Sequence, residues 1–117
     1  MSHITVTPSD KKVEVSFSGE VIASSTNALE LKEGDYPAVY YLPLDDVNET
    51  YLSQTDHQTH CPWKGDAAYW SVEVHGERAE NAVWAYPEPK EAVEDIEGYM
   101  AFYPGKLEVK VDGEVLG

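Results

Sequence analysis

Within the seven residues His60-Cys61-Pro62-Trp63-Lys64-Gly65-Asp66 the chain places an imidazole, a thiol, an amine and a carboxylate. Lys64 is the only Lys or Arg between Lys32 and Arg78, so a cation stands where the surrounding sequence is acidic or neutral. Three chemistries suit these residue types. Positive charge near a thiol favours the thiolate, which makes Cys61 a candidate nucleophile beside His60 and Lys64. Lys64-Gly65-Asp66 offers an ammonium and backbone N–H groups to an anionic ligand, without the glycine-rich pattern of a phosphate loop. His57, His60 and Cys61, with Asp56 or Asp66, are metal-ligand types, but they lack the paired Cys-x-x-Cys spacing of a zinc site, and neither metal nor cofactor is expected. The competing structural account makes Cys61 a small buried hydrophobe. Neighbours on a strand point to opposite faces, so contact between His60 and Cys61 cannot be assumed.

A second constellation runs from Ala79 to Pro89. Alternation sends Ala82, Trp84 and Tyr86 one way and Asn81, Val83 and Ala85 the other. Glu80 and Asn81 would then be polar anchors in a pocket walled by Trp84 and Tyr86. The alternative is an aromatic core in which Asn81 satisfies backbone groups. The adjacent carboxylates Asp45 and Asp46 diverge on a turn and read as a solvated cap, not a magnesium site.

The elements that must position these groups are mostly strands. Val13, Val15 and Phe17 alternate with polar residues, and Ser18-Gly19-Glu20 turns into Val21-Ile22-Ala23. Leu29 and Leu31 alternate with Glu30 and Lys32, Glu33-Gly34-Asp35 forms a loop, and Ala38 to Leu42 makes a strand confined by Pro37 and Pro43. Leu44 to Val47 is a single turn. Ala67 to Val74 is the strongest strand, with Trp70, Val72 and Val74 on one side and Tyr69, Ser71 and Glu73 on the other. His75-Gly76-Glu77 turns it toward a partner at Glu80 to Tyr86. Leu107 to Val111 ends at an Asp112-Gly113 turn. One helix is expected from about Pro89 to Glu97, since Ala92, Val93, Ile96 and Tyr99 fall at helical spacing and Gly98 would end it. Many short strands and one short helix predict a mainly β, single domain over residues 1–117, built as a closed or folded-over antiparallel sheet.

Composition narrows the partners. The 117 residues hold 22 acids against 8 Lys plus Arg, a net charge of −14. Binding to nucleic acid or to an anionic membrane surface needs a basic patch that so few cations hardly supply. Residues 1–58 carry 10 acids and 3 bases and residues 59–117 carry 12 and 5, so each half nets −7, and the charge describes a generally solvated surface. At 42% hydrophobic with 13 aromatics, 12 of them between residues 36 and 103, the chain is globular and not an acidic tail. Met1 to Lys12 has no apolar run of signal-peptide length, no membrane-length apolar stretch follows, and one cysteine cannot form an internal disulfide. A cytoplasmic protein is expected.

Val39-Tyr40-Tyr41-Leu42-Pro43 with Asp46-Val47, Thr59 to Trp70, Ala79 to Pro89 and Ala101-Phe102-Tyr103 together resemble the bacterial-type family known as domain of unknown function 427, from about Val13 to Val109. The resemblance implies a coiled, several-sheeted β fold of the β-tent or Mss4-like kind. Zinc in such folds sits on paired cysteines, and with Cys61 alone it does not carry over. The nucleotidyltransferase-like label sometimes given to the family implies a Gly-Ser phosphate loop and a strand-borne aspartate pair, and neither is present. What transfers is position: the His60–Tyr69 stretch and the Glu80–Tyr86 strand, meeting across a hairpin near Gly76. The leading reading is a domain that binds a small polar or anionic ligand through Cys61, Lys64, Asp66, Tyr69, Glu80, Asn81, Trp84 and Tyr86. The alternatives are a non-enzymatic interaction module and a thiol-dependent enzyme acting through Cys61, with His60, Lys64 and Asp66 as further catalytic candidates.

Overall fold

Alternation does what it promises at Val13 and Val15, both fully buried, while the alternating Glu14 and Ser16 are half-buried at the surface. A computed structural model describes residues 3–117. Eleven strands run β1 (Ile4–Pro8), β2 (Val13–Phe17), β3 (Glu20–Ser25), β4 (Leu29–Glu33), β5 (Val39–Pro43), β6 (Leu52–Cys61), β7 (Gly65–Val74), β8 (Glu77–Ala85), β9 (Tyr99–Phe102), β10 (Glu108–Val111) and β11 (Glu114–Val115). They form a seven-stranded sheet in the order β1-β4-β5-β9-β8-β7-β6 and a four-stranded sheet in the order β11-β10-β2-β3. Every strand pairing in both is antiparallel.

The larger sheet buries both faces. One packs on the smaller sheet, joining Val13, Val15, Ile22, Val109 and Val111 to Leu42, Val72, Val83, Met100 and Phe102. The other carries Leu31, Tyr41, Ala67, Tyr69, Tyr86 and Ala101, against which Val93 and Ile96 pack. Strand parity explains the split: Tyr40 and Leu42 belong to the first core, Val39 and Tyr41 to the second.

Two bulges flank β7. Gln54 pairs with Trp70 and Gln58 with Ala68, so three residues of β6 face Tyr69 alone. Trp70 pairs with Val83 and Val72 with Ala79, so three residues of β8 face Ser71 alone. The bulges are stitched across β7: the Thr55 hydroxyl donates to Asn81 Oδ1 at 2.7 Å, and the Ser71 hydroxyl accepts from the Asn81 N–H at 3.0 Å. Asn81 sits at φ +50°, a left-handed conformation that Asn tolerates better than most residues.

The helix expected over 89–97 is instead a pair of 3₁₀ turns at Glu91–Ile96, broken at Val93 with φ −130°. Glu91 suits the first turn, but Glu94, Asp95 and Glu97 gather where the helix dipole disfavours negative charge, and no basic residue occupies the last turn. Gly98 ends the segment at φ +82°, and Tyr99 opens β9. Ala82 is a second correction. The bulge turns it toward the inter-sheet core with Val83 and Ala85, away from Trp84 and Tyr86. Leu44–Asp46 is the expected single turn, and the hairpin turns at His75-Gly76 and Asp112-Gly113 lie where they were expected.

Candidate functional site

The turn joining β6 to β7 brings Cys61 and Lys64 to the outer face of the large sheet. Gly65, at φ +116°, lets β7 leave this turn close beneath the 88–90 segment. The turn is pinned on both sides: Lys64 N–H donates to the Cys61 carbonyl at 3.2 Å, and the Lys64 carbonyl accepts from Lys90 N–H at 2.9 Å. From here the Lys64 side chain, 16% exposed, reaches Glu33 at the end of β4, with Nζ 3.2 Å from Oε1. Nζ also lies 5.9 Å from the centroid of the Tyr86 ring. The isolated cation of the sequence is therefore paired, by a carboxylate 31 residues away that no local pattern connects to it.

Tyrosines and a tryptophan form the floor. Trp84 Nε1 donates to the Tyr41 hydroxyl at 3.3 Å, with the two rings edge to face at 6.3 Å. Tyr103 lies 4.3 Å from Trp84, centroid to centroid. Tyr69 shares a 2.9 Å hydrogen bond with the Thr59 hydroxyl, and the His57 ring meets it edge-on at 4.5 Å. The Tyr86 hydroxyl, by contrast, takes part in no hydrogen bond among the described residues. Burial pushes the phenols of Tyr41 and Tyr86 well above the usual tyrosine range, the bond from Trp84 only partly offsetting it at Tyr41. Burial, reinforced by the neighbouring Tyr69 hydroxyl, pushes Tyr103 up to about 12. All three remain neutral phenols near pH 7.

Of the residues singled out from sequence, Cys61, Lys64, Tyr69, Trp84 and Tyr86 share this face. His60 and Asp66 do not. Parity turns them to the opposite face of the strands, where His60 Nδ1 lies 2.7 Å from Asp66 Oδ1 with both side chains largely exposed. They border a shallow groove of about 340 Å³ with Gln58, Glu88 and Lys90. Asn81 belongs to the bulge, and Glu80 is exposed, its carbonyl accepting from Lys106 Nζ at 3.0 Å. Among the described residues no three His, Cys, Asp or Glu side chains come together to hold a metal. Glu33, Tyr41 and Tyr103 were missed by sequence reasoning. Tyr41 and Tyr103 lie in segments that carry the family resemblance, which was the available signal; Glu33 had none.

A two-sheet antiparallel β domain with an ion pair set on a phenolic floor is the class that fold and site define. The chain belongs to the family described as Domain of unknown function (DUF427), whose profile matches residues 5–115. No curated protein matches it.

Proposed function

We propose that the chain is a small-ligand-binding β domain whose site is the outer face of the seven-stranded sheet around Lys64, Glu33, Cys61, Trp84 and Tyr86. The observation that carries this reading is the half-buried Lys64–Glu33 pair over Tyr86. A core that only needed filling would hold apolar side chains here, since taking an ion pair out of water seldom repays its desolvation. The Tyr86 hydroxyl, bonded to no other of the described residues and not among buried atoms without a partner, is open to solvent and so available to a ligand. The surroundings of Cys61 favour binding over thiol chemistry, because His60 is turned to Asp66 and Lys64 to Glu33, so that among the described residues no base is hydrogen-bonded to the thiol.

Screening a library of small polar molecules by amide and indole NMR shifts tests this. Saturable shifts confined to Glu33, Cys61, Lys64, Trp84 and Tyr86, weakened by Tyr86→Phe and Trp84→Ala, are expected. Binding that maps instead to the His60–Asp66 groove, or nowhere on this face, overturns it.

A further inference from the structure

We propose that this site takes a small organic ammonium ion, and that Lys64 is a built-in occupant which the ligand displaces; the inference rests on the binding reading above.

The receiving groups are those of a cation site. Glu33 supplies a carboxylate, and Tyr86 presents a ring within the roughly 6 Å at which an ammonium is drawn to the negative face of an aromatic system. The same aromatic group attracts a second ammonium of the chain, Lys106, whose Nζ lies 5.4 Å over the Tyr103 ring, itself packed at a tilt of 40° against Trp84. Two of the chain's 8 Lys and Arg residues are thus drawn to the tyrosines of one cluster.

The sign of the charge decides between ligand classes. An anion reaching Lys64 would have to replace Glu33 and then lie beside it as a like charge, in the field of a chain that nets −14. A cation replacing Lys64 keeps Glu33 paired, and the same field draws it in. The exchange is mechanically simple. The Lys64 backbone is held by hydrogen bonds to Cys61 and Lys90, so only its flexible four-carbon stem must swing out to solvent. The space released is that of an alkylammonium.

The test uses n-butylammonium chloride, sodium butyrate and sodium chloride at matched ionic strength, on the unmutated protein and on Lys64→Ala. Melting temperature and the Trp84 indole NMR signal are the readouts. Expected is saturable binding of butylammonium to Lys64→Ala, at least about tenfold tighter than to the unmutated chain, where the internal competitor must first be displaced. Glu33→Gln in the Lys64→Ala background should remove it. Should Lys64→Ala not fold, the unmutated protein alone decides: butylammonium must move the Lys64 and Trp84 signals and butyrate must not. Butyrate saturating at these residues overturns the cation assignment while leaving the binding reading intact. Equal butylammonium affinity for both proteins, or no response to either salt, overturns the displacement. Fragments mapping elsewhere on the surface remove the underlying reading as well.

Discussion

Replacing Gly65 by alanine tests the close approach that holds the Lys64 turn. The new Cβ would lie 3.2 Å from the Glu88 carbonyl oxygen and 3.8 Å from both Lys90 N and Pro89 Cα, all of them backbone atoms. That backbone cannot retreat freely, because Lys90 N–H is bonded to the Lys64 carbonyl at 2.9 Å. Two costs therefore add. The positive φ of +116° is strained for any L side chain, at about 1–3 kcal/mol. Relieving the crowding stretches the Lys64–Lys90 hydrogen bond, worth about 1 kcal/mol. The sum is about 2–4 kcal/mol, a fall in Tm of roughly 6–16 °C for a domain of this size. Gly76→Ala is the matched control, since its φ of +81° imposes strain with nothing within 4 Å of the added methyl. It should cost about 1–2 kcal/mol. Urea unfolding of both variants, followed by tryptophan fluorescence, gives the comparison. If Gly65→Ala is no worse than Gly76→Ala, the approach of the 88–90 segment does not hold the turn and the account fails.

Asn81→Ala should cost about 2–3 kcal/mol in urea unfolding, combining loss of the Thr55 hydrogen bond with left-handed strain, whereas Asn81→Gly should recover the strain component. Tyr103 is raised from 10.0 to about 12 in the fold, so the folded state keeps a proton that the unfolded chain releases first. Stability should therefore be level with respect to this group below about pH 10 and decline as pH rises toward 12, with tyrosinate absorbance lagging behind that of the unfolded chain. Cys61 should alkylate near neutral pH at the rate of an ordinary thiol or more slowly, and a much faster rate would revive thiol chemistry.

Period-two patterning was enough to identify β2, β3, β4, β5, β7, β8 and β10, because each carries apolar residues on at least one face. It did not identify β6, whose Ser53 to His60 segment is almost wholly polar and forms a strand by pairing with β7 along the sheet edge. Nor did it find β9, where Tyr99 fitted a helical spacing equally well; the accumulating carboxylates that weaken a helix there were visible, but the pairing with β5 and β8 was not. At the site, parity separated Cys61 from His60 and placed Trp84 with Tyr86. The Lys64–Glu33 pair was out of reach, since it depends on the non-local placement of β4 and the β6–β7 turn. Asn81 looked like a pocket residue because its role depends on a bulge, which no alternation pattern records.

The bulges beside β7 have a consequence for how this chain can change length. Each inserts two surplus residues, an even number, so the pleat resumes in phase: Val83 and Ala79 both reach the inter-sheet core, and Trp84 stays opposite Tyr69. Adding or removing a single residue near Asn81 would shift the remainder of β8 by half a pleat. Trp84 and Tyr86 would then be driven between the sheets, and Val83 and Ala85 onto the phenolic floor. Insertions and deletions in this hairpin are therefore tolerable only in pairs, a parity rule that a systematic scan of one- and two-residue indels would expose.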